Sequence, residues 1–239
     1  MARPRMRIRI ISWDEVVNWC ISLADLIKAS GYKPDVIIAS ARGGFVPARL
    51  ISDLLDVGEL LALQVTHWGE ATVRGSGAIL RNPYRVDLSG KKALIVDDII
   101  DTGLTMLTLL DYIKNEWRPR EVRTAVISWV SSIAKIKPDY YLEELREREW
   151  DWYLYPWKRV DDIASLIARI LREDDRVRGV DWITFDQLKD LFLEWYGVAP
   201  EAFGYYWGLA LERLEARGII ARGDGRLRVV NPRAPATSL

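Results

Sequence analysis

Residues 94–105 read LIVDDIIDTGLT, an apolar run that breaks into three acids and a Gly/Thr turn. The apolar run at residues 93–96 is short and partly β-branched, which is typical of a strand in a parallel sheet covered on both faces. Residues 106–115 have the pattern of a helix. A strand, a polar turn and a helix in this order predict an α/β fold.

The turn after this strand has the composition of a phosphate-binding loop. Thr102 and Thr105 supply hydroxyl donors, Gly103 lets backbone amides approach a ligand closely, and the N-terminus of the following helix adds partial positive charge. Three acids lie beside it: Asp97, Asp98 and Asp101. Carboxylates repel phosphate, so we expect them to face another part of the same ligand. A strand end with merely solvated or capping acids is the alternative interpretation.

A ligand with a phosphate at one end and hydroxyls or a cationic centre nearby would match both the phosphate-binding turn and the three acids. Phosphoribosyl diphosphate (PRPP) is one such molecule. Residues 96–105, VDDIIDTGLT, closely resemble the PRPP signature of type I phosphoribosyltransferases. The resemblance implies that Asp97 and Asp98 hold the ribose hydroxyls and the magnesium region, with Asp97 a metal ligand largely through substrate and water. It implies that Asp101 is the general acid and base beside the purine nitrogen. The residues expected at the PRPP 5-phosphate are Asp101, Thr102, Gly103, Leu104 and Thr105.

A second strand, glycine loop and helix lie upstream. Residues 35–40 read as a strand and residues 45–55 as a helix, with Ala-Arg-Gly-Gly between them. Adjacent glycines present amides to an anion and arginine suits a diphosphate, although Arg-Gly-Gly alone is as typical of an ordinary turn. Residues 39–48, ASARGGFVPA, resemble the pyrophosphate loop of xanthine-guanine phosphoribosyltransferases. The resemblance implies a cis peptide bond between Ala41 and Arg42, and pyrophosphate binding by Ala41, Arg42, Gly43 and Gly44.

Aromatic residues are concentrated at residues 150–157, WDWYLYPW. Composition alone fits a dimer interface or a domain core as well as a ligand site. The spacing Trp152-x-x-x-Pro156-Trp157 resembles the hood of xanthine-guanine and related archaeal purine enzymes. On that resemblance, Trp152 stacks on the base and the backbone near Tyr153 reads its exocyclic groups.

Two positions depart from the family pattern. The lysine that donates to the purine 6-oxo group should fall near Ser131, whereas the candidates here are Lys135 and Lys137. The residue after Pro156-Trp157 is commonly acidic and helps to hold magnesium, but this chain has Lys158. Either the metal site is weakened, or Lys158 contacts the diphosphate, or a nearby acid, Asp161 or Asp162, substitutes.

Residues 159–239 look like a separate domain that follows a phosphoribosyltransferase domain at residues 1–158. We predict helices at residues 163–172, from Thr184 to about 196, and at 200–217, and a hairpin at 219–230. This order resembles a winged helix-turn-helix domain. Residues 160–239 carry 11 basic and 13 acidic side chains, so oligomerisation or packing over the site is favoured over DNA binding.

Composition restricts the class of protein. Lys plus Arg and Asp plus Glu number 34 each, so no global basic field attracts nucleic acid or an anionic membrane. The single cysteine, Cys20, is expected to pack in the interior. No apolar run approaches membrane-spanning length, and we expect a cytoplasmic protein. Residues 68–83, which are polar and rich in glycine, are predicted to be a mobile loop that acts as a lid.

These observations predict an α/β type I phosphoribosyltransferase with a mainly parallel sheet, a small hood and a C-terminal winged-helix-like domain. The expected reaction joins PRPP and a purine base to give nucleoside monophosphate and pyrophosphate, with Mg²⁺ as cofactor and a homodimer as the family's usual assembly. Guanine, xanthine or hypoxanthine is the preferred acceptor. The alternatives are adenine or a pyrimidine as acceptor, and a PRPP- or nucleotide-sensing transcriptional regulator.

Overall fold

The computed structural model describes residues 5–67, 78–146 and 151–231 of the chain. The chain divides into two compact units. The larger is Ser12–Trp150, and the smaller joins Met1–Ile11 to Asp151–Leu239. No helix within the described ranges is long and apolar enough to cross a membrane.

Eleven strands and six α-helices, together with two short helical turns, make up the two units in the part of the chain that is described. The strands are β1 (Ile8–Ile10), β2 (Val36–Ala41), β3 (Leu60–His67), β4 (Ala78–Arg81), β5 (Lys92–Ile100), β6 (Glu121–Val130), β7 (Tyr140–Leu145), β8 (Trp152–Leu154), β9 (Ile183–Thr184), β10 (Ile220–Gly223) and β11 (Arg226–Val229). The α-helices are α1 (Trp13–Ala29), α2 (Phe45–Leu54), α3 (Leu104–Tyr112), α4 (Arg159–Glu173), α5 (Phe185–Tyr196) and α6 (Tyr205–Ala216). A π-helical turn, Ile113–Trp117, continues α3, and a 3₁₀ turn, Pro200–Phe203, precedes α6.

The larger unit is built on a six-stranded mixed sheet in the order β4-β3-β2-β5-β6-β7. Strand β4 runs antiparallel to β3, and the other neighbours are parallel. Every residue of β2 is buried, as expected for a central parallel strand covered on both faces. Alternate residues of β2, Val36 and Ile38, share a core cluster with Met106 and Leu109 of α3. The fold class predicted for this part of the chain is confirmed.

Helix α1 begins where the sequence signals a start. Ser12 Oγ accepts a hydrogen bond from the Glu15 amide at 3.2 Å, and Glu15 Oε2 accepts from the Ser12 amide at 2.8 Å. This reciprocal pair satisfies two of the amides that a helix start leaves without partners. Cys20 is buried on the inner face of α1, and burial raises the pKa of its thiol to about 12.

Three predicted boundaries are corrected by tertiary pairing. Residues 78–81 form β4 rather than loop, because they pair with Gln64–His67 of β3, and residues 68–77 of the predicted lid lie outside the described residues. Strand β5 extends to Ile100, so that Asp97 and Asp98 lie within it. Residues 140–145, which have no strand pattern in the sequence, form a further strand, β7.

The smaller unit contains α4, α5, α6 and a three-stranded antiparallel sheet in the order β10-β11-β9. Thr184 opens α5 at the predicted residue and forms a capping box with Gln187. The predicted helix at 200–217 is interrupted at Gly204, whose φ of 54° and ψ of −131° separate the 3₁₀ turn from α6. The predicted hairpin is confirmed, with Asp224 and Gly225 at positive φ in its turn.

Strands β1 and β8 form a separate parallel pair. Ile8 and Leu154 from this pair belong to the same apolar cluster as Ile163 and Ile167 of α4. The predicted hood residues, 152–157, therefore belong to the same unit as the C-terminal helices. The domain boundary predicted from the sequence lies between residues 158 and 159.

Candidate active site

The predicted PRPP and pyrophosphate segments meet at one edge of the central sheet. Strands β2 and β5 are parallel neighbours, with Ala39 paired to Val96. Each is followed by a loop and then a helix. We call the two predicted binding segments, with the adjoining residues of β2 and α3, the 41–44 loop and the 101–105 loop, and both leave the sheet at the same edge. Crevices outside the carboxyl ends of parallel strands are where ligands bind in α/β sheets.

The two glycines of the first loop are required by close approach to β5. A Cβ at Gly43 would lie 2.6 Å from Asp98 Oδ1, and a Cβ at Gly44 would lie 2.3 Å from the Val96 carbonyl oxygen. The predicted cis peptide bond between Ala41 and Arg42 is present. The backbone of this loop thus lies directly against the acidic end of β5, which no side chain at 43 or 44 would permit.

Asp97 and Asp98 are adjacent carboxylates in the interior, with exposed fractions of 8% and 6%. Asp97 Oδ1 accepts a hydrogen bond from the Asp98 amide at 2.9 Å, and Asp98 Oδ1 accepts from the Ile99 amide at 2.9 Å. Burial raises the pKa of Asp97, and the neighbouring Asp98 charge raises it further, while a hydrogen bond from Ser40 opposes both effects. A cation or hydroxyl donors placed here would relieve this concentration of negative charge.

These carboxylates suit a hard cation such as Mg²⁺, which prefers oxygen ligands. Within the described ranges, however, there is no group of three or more His, Cys, Asp or Glu side chains able to hold a metal ion. A magnesium ion at Asp97 and Asp98 would therefore take its remaining oxygens from substrate and water, as Mg²⁺ commonly does.

Asp101 differs from the two buried acids because its side chain is exposed. Its Oδ1 accepts hydrogen bonds from the Thr102 amide at 2.5 Å and the Thr102 hydroxyl at 3.3 Å. Gly103 follows with φ of 81° and caps the N-terminus of α3, where the amides of the first turn lack helical partners. An exposed carboxylate therefore stands beside a set of amide donors suited to a phosphate.

The segment at residues 135–137, which carries the two candidates for the base-reading lysine, covers this loop. The Lys135 amide donates to the Thr102 carbonyl at 3.0 Å, and a Cβ at Gly103 would lie 2.8 Å from Ile136 Cγ2. Lys137 Nζ lies 5.5 Å from the ring centres of both Trp129 and Tyr141. In the sequence, the signal of this contact is the glycine at 103, a position with no room for a side chain.

The predicted base-binding residues belong to the smaller unit. Trp152 is half-buried in β8 and its amide donates to the Arg7 carbonyl at 2.8 Å, while the Tyr153 ring is buried with the Arg9 guanidinium 5.3 Å from its centre. Lys158 Nζ lies 5.7 Å from the Trp152 ring centre and 3.7 Å from Asp162 Oδ1.

The two acids considered as substitutes at the metal site have basic partners within that unit. Asp161 forms an ion pair with Arg213 at 2.5 Å, and Asp162 forms one with Lys158. The carboxylates of both residues are therefore already engaged by cations.

Comparison with known proteins agrees with this arrangement. The family model of the phosphoribosyl transferase domain matches residues 12–173. A xanthine-guanine phosphoribosyltransferase of Desulfotalea psychrophila is 29% identical over 161 residues, which are 66% of this chain and 92% of that protein. A hypoxanthine-guanine phosphoribosyltransferase of Aquifex aeolicus is 31% identical over 99 residues, 39% of this chain and 53% of that protein.

Solved structures give the same result for the fold. The purine phosphoribosyltransferase of Pyrococcus horikoshii is 30% identical with a TM-score of 0.54, and the match covers 64% of this chain and 95% of that one. The xanthine-guanine-hypoxanthine phosphoribosyltransferase of Helicobacter pylori shares the fold at 20% identity and a TM-score of 0.54, over 63% of this chain and 94% of that one. The chain belongs to the phosphoribosyltransferase family.

Proposed function

We propose that this protein is a PRPP-dependent purine phosphoribosyltransferase, a pentosyltransferase that converts guanine, xanthine or hypoxanthine to the nucleoside monophosphate in purine salvage. The observation that carries the proposal is the meeting of the 41–44 loop with Asp97, Asp98 and the 101–105 loop at one sheet edge. The xanthine-guanine and hypoxanthine-guanine enzymes among its relatives support a 6-oxopurine as acceptor.

The proposed roles follow the charge that develops in the reaction. As the bond between ribose C1 and the diphosphate oxygen breaks, positive charge builds on the ribose, and the bond to the purine nitrogen forms. Buried Asp97 and Asp98 stabilise that charge more in the transition state than in the ground state. Exposed Asp101 accepts the proton that the purine nitrogen loses, while the electron pair of the broken bond leaves with the diphosphate.

The remaining roles concern binding. Arg42 and the backbone of Ala41, Gly43 and Gly44 hold the diphosphate, and the amides and hydroxyls of residues 102–105 hold the 5-phosphate. Asp97 is the residue that would hold magnesium, largely through substrate and water, and the bound ion would neutralise negative charge of the diphosphate. Trp152 stacks on the base and the Tyr153 backbone reads its exocyclic groups, by resemblance to the hood of purine enzymes.

The test is a panel of purine and pyrimidine bases offered with PRPP and Mg²⁺, with pyrophosphate release measured for the wild type, Asp101→Asn and Trp152→Ala. We expect turnover of 6-oxopurines, a loss of about a hundredfold in kcat for Asp101→Asn, and a rise of about tenfold in the KM for the base with Trp152→Ala. Full activity of Asp101→Asn would show that this carboxylate is not the acid or base. Turnover of adenine or a pyrimidine alone would change the acceptor.

We infer a functional division in which residues 1–158 carry the transfer chemistry and residues 159–239 form an appended winged-helix-like domain. The order α4, β9, α5, α6, β10, β11 supports that comparison, as does the pairing of β9 with β11 beside a hairpin. The exposed side of α6 carries Tyr205, Leu209 and Glu212 rather than basic residues. Oligomerisation or packing over the site, rather than DNA binding, is the role that this surface supports.

A regulator is the second candidate because of the same topology and the exposed arginines of the hairpin, Arg222, Arg226 and Arg228, of which Arg222 is paired with Glu215. Sedimentation of the full chain checks the proposed homodimer. Fluorescence anisotropy with duplex DNA across a salt series checks the alternative, since DNA binding through phosphate contacts weakens steeply with salt. Salt-dependent, sequence-specific binding without turnover of any base would favour the regulator.

A further inference from the structure

The glycine of the 5-phosphate loop is buried by a segment that follows β6. Gly103 is buried although it lies in a loop at the edge of the sheet. The nearest atoms to a Cβ built on it would be Ile136 Cγ2 at 2.8 Å, Lys135 N at 3.3 Å and Ile136 N at 3.4 Å. The side chain of Ile136 therefore lies directly against the Cα of Gly103.

This covering segment is fixed at both of its sides. Towards the 5-phosphate loop, the Lys135 amide donates to the Thr102 carbonyl at 3.0 Å. Towards the sheet, the indole Nε1 of Trp129 donates to the Ile136 carbonyl at 3.1 Å, and the Ile136 side chain packs on the core cluster that contains Met106 and Leu109 of α3. Ile136 thus connects the loop to the same core that holds the helix behind it.

The position of Gly103 matters because it precedes the first turn of α3. With φ of 81° and ψ of 0°, it directs the chain into the first turn of α3, whose amides have no preceding carbonyls of the helix to bind. Glycine has more conformational freedom than any other residue, so this turn needs an outside constraint to remain in one geometry. Donors held in place before a ligand arrives bind it more tightly than donors that must be ordered on binding.

We propose that Ile136 is a positioning residue for the 5-phosphate loop: its side chain holds the Thr102–Gly103 turn in the geometry that binds the phosphate of PRPP. The inference rests on the proposed function, since it assigns a residue outside the signature to the binding of that substrate. Ile136 does not touch the substrate. It acts through Gly103, which has no side chain of its own to stabilise the turn.

The first experiment compares Ile136→Ala with Ile136→Val and with Val122→Ala in the full-length protein. Val122 packs on the same core cluster but lies at the opposite end of β6, where it pairs with Ala93 at the start of β5. The readouts are the PRPP dissociation constant by calorimetry, the KM for PRPP and for the base, kcat, and the melting temperature.

We expect Ile136→Ala to raise the dissociation constant and KM for PRPP by about tenfold, a loss equivalent to one well-ordered contact. The KM for the base and kcat at saturating PRPP should change less than about threefold, since neither depends on holding the 5-phosphate loop in advance. Ile136→Val keeps both branches of the side chain at Cβ and should restore PRPP binding. Val122→Ala should lower the melting temperature without changing PRPP binding.

A double-mutant cycle with Gly103 tests the contact itself. Gly103→Ala places a Cβ too close to Ile136 Cγ2 and adds an unfavourable positive φ, so PRPP binding should weaken. Adding Ile136→Ala removes the clash with Cγ2 but leaves the strain of the positive φ at residue 103. We therefore expect the double variant to bind PRPP no worse than Gly103→Ala alone. Such non-additivity is the signature of two residues in contact.

The outcomes separate the inference from the proposed function. If the wild type binds PRPP and turns over a purine but Ile136→Ala binds PRPP as tightly, Ile136 has no positioning role. Equal losses of PRPP affinity in Val122→Ala and Ile136→Ala, or fully additive effects in the cycle, would reduce the role to general core packing and overturn the inference. A wild type that neither binds PRPP nor turns over any base would overturn both.

Discussion

Gly43 and Gly44 are adjacent in the chain but are constrained by different atoms. A Cβ at Gly44 would lie 2.3 Å from the Val96 carbonyl oxygen and 2.7 Å from that of Ser40, both of which are backbone atoms of central strands. A Cβ at Gly43 would instead meet the carboxyl group of Asp98, all three atoms of which lie 2.6–2.8 Å away. The Asp98 side chain can rotate away more easily than a strand can move. A side chain at 43 would therefore mainly affect the position of the Asp98 carboxylate, and one at 44 would mainly affect stability.

We expect Gly43→Ala to lower kcat/KM by about tenfold or more while changing the melting temperature little, because it displaces a carboxylate assigned to the ribose. Gly44→Ala should destabilise the protein by about 2 kcal/mol, because it forces apart the backbones of β2 and β5. Gly58→Ala is the matched control, since nothing lies within 4 Å of a Cβ at Gly58. Denaturant unfolding and steady-state kinetics on the three variants measure both effects; a Gly43→Ala enzyme of full activity would contradict the role given to Asp98.

The start of a helix is determined largely by hydrogen bonds between residues that are close together in the sequence. At α1, the amide of Glu15 donates to Ser12 Oγ and the Ser12 amide donates to Glu15 Oε2. Ser12→Ala should therefore destabilise the larger unit by about 1 kcal/mol, whereas Ser12→Asp keeps an acceptor at the cap and should cost a few tenths of that. Chemical denaturation monitored by circular dichroism distinguishes the two; equal stabilities would mean that the cap contributes nothing in this fold.

The same local logic accounts for both capping boxes, and it predicts the two strand-loop-helix units of the site and the hairpin of the smaller unit. It does not predict β4, β7 or the extent of β5. In β7, which reads YYLEEL, only Tyr140 is buried, since β7 lies at the edge of the sheet, so its pattern is neither continuously apolar nor alternating. Its existence depends on pairing with β6, and the covering of Gly103 by Ile136 likewise depends on residues more than 30 positions apart. Contacts of this kind leave no periodic signal in the chain.

The smaller unit is stabilised around a buried carboxylate rather than by apolar packing alone. Asp174, at 1% exposure, accepts hydrogen bonds from Arg176 Nη2 at 2.7 Å and from the indole Nε1 of Trp195 at 2.8 Å. Arg176 also contacts Glu194 at 2.7 Å. Hydrogen bonds from Arg176 are the main reason why the pKa of Asp174 lies well below its usual range. The larger unit, by contrast, contains buried Asp97, whose pKa is raised.

These opposite shifts give the whole molecule a testable pH response. A carboxyl group with a lower pKa in the folded state than in the unfolded state, where it is about 3.9, contributes stability above that value. The contribution of Asp174 is therefore complete at neutral pH and is lost as the pH falls below about 4 towards its folded-state pKa. Asp97 has the opposite effect: its raised pKa lowers the stability of the folded state at neutral pH, and this loss disappears as Asp97 is protonated.

We expect Asp174→Asn to lower the free energy of unfolding by about 2 kcal/mol at pH 7, and this deficit to shrink below pH 4. Calorimetric scans from pH 7 to pH 3 measure it, with Asp175→Asn as the control because that neighbouring side chain is 84% exposed. A deficit that stayed constant to pH 3 would mean that Asp174 contributes through shape and neutral hydrogen bonds, and not through the charge that Arg176 stabilises.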